Sequence, residues 1–254
     1  MTATSTLATP ARPDPALLGQ TVVVIGGTAG IGLETARRAR EAGADVILTA
    51  RDGERLRSIG NELGAAGSVA FDATDFTRLH AFFKELPGTI DHVLVTGPGP
   101  YYAPLAEFDA DKARRDVESH LLLPIEVARS APGKVRAGGT LLFMGGTGGR
   151  RTAPGLALIS ALTAALPALV KNLALELAPI RVNLLAAGFV DTPLSAAILG
   201  DQLDARRAQL RATLPIRRVV GPADIAALAV HLMVNTAITG ATMDIDGGQQ
   251  LVEG

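Results

Sequence analysis

The chain contains no cysteine, which removes disulfides, a thiolate nucleophile and zinc–thiolate sites together and makes a reducing cytosol the simple compartment. Histidine is nearly as scarce, and four scattered residues offer no clustered imidazoles for a metal. A surplus of one charge is missing too. The formal net charge is −1 over 254 residues with both signs mixed along the chain. No basic stripe therefore exists for nucleic acid or an anionic membrane, and a small neutral or anionic ligand is the expected partner. The opening MTATSTLATPARPDPALLGQ lacks the apolar stretch of a signal peptide; a flexible leader over residues 1–18, ahead of one domain at 19–254, is expected.

Ionisable groups are absent from residues 152–170, a run approaching the length of a membrane span. Two prolines, a glycine and many alanines dilute its hydrophobicity, and it continues into KNLALELAPIRVNLLAAG, a helix end followed by a strand. It is read as a buried helix. What is present along the rest of the chain is an alternation of short Val, Ile and Leu runs with longer amphipathic stretches, the pattern of a parallel sheet covered on both faces by helices. Strands are predicted at 21–26, 45–50, 68–71, 92–97, 140–145, 181–186 and 242–246, and helices include 32–43, 76–86, 109–130 and 223–234. With no repeat and no low-complexity linker, the prediction is a single α/β domain, a doubly wound parallel sheet of the Rossmann type with seven strands.

The stretch VVVIGGTAGIGLETARRA follows a strand and opens a helix, so Gly26, Gly30 and Gly32 stand at a turn where backbone can approach a pyrophosphate and the helix N-terminus offers it unpaired N–H groups. The second strand ends LTARDGERL. Alanine at position 50 cannot grip a ribose 2′-hydroxyl as an acid would, whereas Arg51 suits a 2′-phosphate, so NADP(H) is expected over NAD. Arg51 also admits the plainer role of a solvated residue before a helix capped by Asp52. Asp72, after the third strand, is either an acceptor for the adenine amino group or a helix cap.

Together these features resemble the short-chain dehydrogenase/reductase family, over nearly all of the chain after the leader. The glycine turn has the family's spacing, residues 173–193 look like the segment joining the active-site helix to the nicotinamide end, and 238–248 look like the last strand. The resemblance implies strand order 3-2-1-4-5-6-7, a Val190 backbone that holds the carboxamide and a Thr192 that reaches the phosphates or carboxamide. Thr28, Ile31, Gly97 and Gly188 are expected along the same cofactor path. It also implies a homodimer or homotetramer through the helices at 109–130 and 155–178.

The family's catalysis ordinarily uses an asparagine, a serine, a tyrosine and a lysine. By alignment those positions hold His120, Gly146, Ile159 and Thr163. Substitutes for the proton donor are sought among Tyr101 and Tyr102, the only tyrosines, which serve either as an acid or as an aromatic wall, and in His120, either a relay or a buried helix histidine. Thr147 and Ser160 offer hydroxyls too weakly acidic to donate unaided. Arg150 and Arg151 bind an anionic substrate or merely face solvent. Pro167 is expected to kink its helix or admit a water, since it leaves the Thr163 carbonyl without an i+4 donor. Three functions follow: an NADP(H)-dependent oxidoreductase with an atypical site and a small apolar substrate, a non-catalytic NADP(H)-binding protein, and a redox-neutral enzyme that keeps the cofactor as scaffold.

Overall fold

In the computed structural model the described residues are 16–150 and 152–252. Seven parallel strands run β1 (Thr21–Ile25), β2 (Asp45–Ala50), β3 (Gly67–Ala70), β4 (Ile90–Val95), β5 (Val135–Gly146), β6 (Arg181–Ala187) and β7 (Thr242–Ile245) in chain order. In space they lie β3-β2-β1-β4-β5-β6-β7. Between β1 and β4 the winding reverses direction, which opens a crevice at the strands' carboxyl ends, where ligands bind in open α/β sheets.

Helices α1 (Gly30–Glu41), α2 (Gly53–Leu63), α3 (Phe76–Glu85), α4 (Ala110–Val117), α5 (Leu123–Ser130), α6 (Ala157–Glu176), α7 (Pro193–Leu199), α8 (Leu203–Thr213) and α9 (Pro222–Val234) complete the fold. The central strands β1, β4 and β6 are largely apolar because both of their faces are buried. In β1, Val23 and Ile25 join the core under α3, α5 and α6 with Phe82, Val127 and Val170, while Val22 and Val24 join the core under α1 and α9 with Ala36, Ala39 and Leu232. That is the two-residue period of a strand serving two cores at once.

Several expectations are corrected. Of the supposed leader, residues 1–15 lie outside the described residues, but Leu17 is fully buried and its N–H bonds to the Ala42 carbonyl at 2.8 Å, so the packed fold includes residue 17. The first helix ends at Glu41, and Gly43 follows with φ of +92°. β5 starts at Val135, five residues earlier than predicted, with an irregularity in its pairing to β4 between Ile90 and His92. The single helix predicted at 109–130 is interrupted by a π-helical turn at Glu118–Leu122. Pro124 has no N–H for the His120 carbonyl four residues back, and the Leu123 N–H instead reaches the Glu118 carbonyl, an i to i−5 bond that widens the turn. Lastly, α6 buries only one stripe, from Ile159 and Leu162 through Leu166, Val170, Leu173 and Ala174.

Candidate active site

The site begins with the turn after β1. Gly26 has φ of +89°, and a Cβ there would collide with the Thr96 side chain at 2.2 Å; a Cβ at Gly32 would stand 2.2 Å from the Gly26 carbonyl oxygen. Thr96 fastens the turn by donating to the Ile25 and Gly26 carbonyls at 3.0 and 3.1 Å. Ala29, at the N-cap of α1, provides no side-chain cap, and no acid stands in the first turn. The first N–H groups of a twelve-residue helix are thereby left for a ligand, and they favour an anion.

That turn forms one wall of a groove of about 770 Å³ along the carboxyl edge of the sheet. Gly26, Thr28, Gly30, Ile31 and Gly32 line it, as do Arg51, Asp72, Gly97 and Thr192. Asp52 caps α2 by accepting from the Glu54 and Arg55 N–H groups at 3.0 and 3.1 Å, as its sequence position suggested, and this sets Arg51 at the rim. Asp72 is not the cap of α3, a role filled by Asp75. It accepts instead from the Thr74 N–H and hydroxyl at 3.0 and 2.8 Å. Burial pushes its carboxyl up, but the Thr74 bonds and the Arg51 charge outweigh this and hold it below its ordinary value. Sequence reasoning missed Arg55, which lines the groove and donates to the Thr28 carbonyl at 3.2 Å. Its signal was present in RDGER, since a helix capped at Asp52 turns its third residue back toward the glycine turn.

A glycine cradle that any Cβ would fill, an uncapped helix terminus and two guanidinium groups at the rim suit a dinucleotide carrying an extra phosphate. Were such a cofactor to bind, the backbone of 26–32 would hold its pyrophosphate, and Arg51 and Arg55 would be the residues to meet the far phosphate.

Past Gly97, Pro98 and Thr192 the groove opens into a second cavity of about 510 Å³. Its walls include Phe143, Met144, Leu156, Ile159, Leu162, Leu166 and Phe189. Gly188 and Val190 belong to this cavity rather than to the groove. Gly188 has no room for a side chain, because a Cβ would lie 2.6 Å from that of Asp246. Thr192 caps α7 through a reciprocal pair with Ser195, which fixes it over Gly30, whose Cβ would meet it at 3.3 Å.

His120, Gly146, Ile159 and Thr163 all line the cavity. The Thr163 hydroxyl turns back on its own helix, donating to the Ile159 carbonyl at 2.8 Å. Thr147 is buried in the wall, whereas Ser160 is not among the lining residues.

The two tyrosines part company. Tyr101 does not reach the cavity, and its hydroxyl accepts the Asp109 N–H at 2.8 Å and donates to the Glu107 carbonyl at 3.3 Å. Only Tyr102 lines the cavity. Burial, and secondarily the charge of Asp116, push its phenol above its ordinary value, the opposite of what a neighbouring ammonium does for a catalytic phenol. Arg150 faces Asp244 of β7, donating to it at 2.8 Å and also bonding Gln250, so its guanidinium ties the turn after β5 to the last strand. Arg151 lies outside the described residues.

His120 rides the π-helical turn. Its Nδ1 lies 3.1 Å from the Asp116 carbonyl oxygen and 3.0 Å from Asp116 Oδ1. Asp116 is buried, and the same Oδ1 accepts the Tyr101 N–H at 3.2 Å. Asp116 was not singled out from sequence; the cue was its i, i−4 spacing from His120 on one helical face.

Comparison with known proteins places this architecture among relatives. A family model described as "Enoyl-(Acyl carrier protein) reductase" matches residues 26–250. Dehydrogenase/reductase SDR family member 4 of Sus scrofa is 31% identical, over 91% of this chain and 88% of its own. Among solved structures, BdcA in complex with NADPH superposes with a TM-score of 0.82 at 27% identity, covering 91% of this chain and 95% of that one. The MalC Reductase/Diels-Alderase from Malbranchea aurantiaca reaches a TM-score of 0.88 over 95% of this chain and 100% of its own; at 24% identity, that likeness speaks to the fold alone.

Proposed function

The chain belongs to the short-chain dehydrogenase/reductase family of oxidoreductases, and from that premise we propose an NADP(H)-dependent enzyme with a non-standard active site that passes hydride to or from a small, largely apolar substrate. The observation that carries this reading is the continuity of two spaces, a groove with an uncapped helix terminus and two arginines, opening past Gly97 into a cavity walled by aliphatic and aromatic side chains. The bound cofactor supplies or accepts hydride. The chain's own residues orient it, exclude water and shape the substrate space. Tyr102, exposed by half, serves as an aromatic wall at the mouth.

A second reading has its own support. Gly146, Ile159 and Thr163, the last bonded back to its own helix, line the cavity; read as the occupants of the family's serine, tyrosine and lysine positions, they are what a non-catalytic NADP(H)-binding protein, or a redox-neutral enzyme using the same cavity, would retain. General acid catalysis is typically worth about 10²–10⁴ in rate, so an ordinary ketone reduction without a replacement donor is slow rather than forbidden. A screen of carbonyl, imine and enone substrates, followed by NADPH absorbance, separates the readings: turnover supports the oxidoreductase, and its absence throughout favours the binder.

The cofactor choice has a separate test. Titration with both nucleotides should show NADPH bound more tightly than NADH, and Arg51→Ala should weaken NADPH about tenfold or more while leaving NADH nearly unchanged, as expected for the loss of a charge-assisted contact. Equal affinity of the native chain for NADH and NADPH would overturn the assignment. A cytoplasmic location, a homodimer or homotetramer, and the absence of nucleic-acid or membrane partners belong to the same proposal.

A further inference from the structure

We propose that Asp116 and His120 form the proton-donating couple of this site, with His120 resident as an imidazolium and Asp116 as its positioning residue; this rests on the oxidoreductase reading above. The argument is one of donors and acceptors. One ring nitrogen, Nδ1, faces two oxygens of Asp116, the carbonyl at 3.1 Å and Oδ1 at 3.0 Å. The other ring nitrogen, Nε2, lies 3.7 Å from the Cβ position of Gly97, and the ring lines the cavity. A neutral imidazole carries one N–H, which cannot serve both the Asp116 oxygens at Nδ1 and a substrate oxygen at Nε2. The cation offers a donor to each.

Asp116 supports the same conclusion from its own side. It is 4% exposed, and its second oxygen, Oδ2, is buried without a hydrogen-bond partner. A carboxylate so enclosed requires a compensating charge, and His120 supplies one at 3.0 Å. The other ionisable groups around the couple are the Tyr102 phenol and Arg206 in the cavity wall, with Lys112 and Arg115 on the groove side of Asp116. Burial by itself lowers the ring's affinity for a proton. The bonds and charge of Asp116, with the Pro98 carbonyl, outweigh it and hold the pKa above its ordinary value. The logic mirrors the family's own: there an ammonium lowers a phenol toward neutrality, and here a carboxylate raises an imidazole.

In carbonyl reduction, a bound NADPH would supply the hydride for the new C–H bond and be left as NADP⁺. The C=O π pair moves onto oxygen, and that oxygen takes the Nε2 proton as the N–H bond breaks. His120 is left neutral with its Nδ1–H on Asp116, and solvent restores the proton. Gly97, having no side chain, keeps the approach to Nε2 open on the cofactor side. Asp116 also accepts the Tyr101 N–H, which ties that loop to the helix carrying the couple.

The test is an NMR titration of His120 in the full chain, assigned by difference from His120→Gln, for native protein and Asp116→Asn. It is paired with the pH dependence of NADPH turnover on the best substrate of the screen. His120 is expected to titrate above pH 6.5 in the native chain, and Asp116→Asn should lower the midpoint by about 1 to 2 pH units. The alkaline limb of kcat/KM should move with it, and His120→Gln should lower turnover about 100-fold while NADPH still binds. A native midpoint below 6.5, or one that Asp116→Asn leaves in place, overturns the charged couple; where Asp116→Asn does not fold, the native midpoint alone decides. A limb that fails to follow the midpoint overturns the donor role. Absence of all turnover sinks the oxidoreductase reading and the donor role with it, while the titration still judges the couple.

Discussion

At the scale of single residues, His92 shows how burial alone sets a pH response. It sits on β4 with no exposed surface, its Nε2 2.7 Å from Gln20 Oε1 and its Nδ1 buried without a partner. Burial lowers its pKa from 6.5 to about 4, with Asp91 opposing and Arg136 and Arg181 assisting. The folded state thus refuses a proton that the unfolded chain accepts. Stability from this site is complete above the unfolded value near 6.5 and is lost as pH falls toward about 4. The difference corresponds to roughly 3 kcal/mol. Urea melts at pH 7 and pH 4.5 should show that loss in the native chain and a smaller one in His92→Gln. Equal losses in both would remove the assignment. His120, raised rather than lowered, acts in the opposite window: its contribution is full below 6.5 and is lost as pH rises through its folded value. The four histidines are thus not interchangeable, and nothing in their spacing along the sequence separates a core histidine from a site histidine. Only the oxygen atoms around each ring do so.

At the scale of elements, the two internal prolines have different outcomes. Pro124 coincides with the π-helical turn that carries His120, whereas Pro167 sits within α6, which runs unbroken from Ala157 to Glu176. The expected kink at Pro167 is not needed to keep the helix, although the Thr163 carbonyl still lacks the i+4 N–H. Pro167→Ala restores that donor. It should stabilise the fold by about 1–2 kcal/mol, the helix-interior penalty of proline less the entropy it removes from the unfolded chain, with NADPH affinity unchanged. Thermal melts beside nucleotide titration check both halves, and a lower melting temperature would contradict the argument.

The contrast also explains what was legible. Central strands were readable because their apolar runs serve two cores, and the nucleotide turn was readable because a Cβ at Gly26, Gly30 or Gly32 would meet the Thr96 side chain, the Thr192 side chain or the Gly26 carbonyl at 2.2 to 3.3 Å. The early start of β5 at Val135 was not, since VRAGG has neither an apolar run nor alternation, and its pairing with Ile90 passes through an irregular register. Tyr101 and Tyr102 are neighbours in sequence, yet their separation into a loop brace and a cavity wall depends on the Asp109 N–H, a tertiary contact that their positions in the chain do not reveal.

At the scale of the whole molecule, the open question is what covers α6. Its length and composition would pass for a membrane span, yet only 28% of its apolar window is buried. The buried stripe from Ile159 to Ala174 packs on the sheet. Away from it, Leu175 is 79% exposed, and on the π-helical turn nearby in the chain's other outer helix pair Leu122 is 38% exposed. A helix with charged groups absent up to Lys171 and an apolar outer face is poorly suited to water. A second copy of the chain presents the same face, so a two-fold pairing matches apolar surface to apolar surface. Stable pairs of this kind bury about 1,200–2,000 Å² in total. Light scattering at micromolar concentration should therefore give the mass of a dimer or tetramer, and Leu175→Arg should move it toward the monomer. NADPH affinity should be retained in that variant, because the nucleotide groove lies along the carboxyl edge of the sheet and Leu175 is not among its lining residues. A monomeric native chain under these conditions would rule out the pairing.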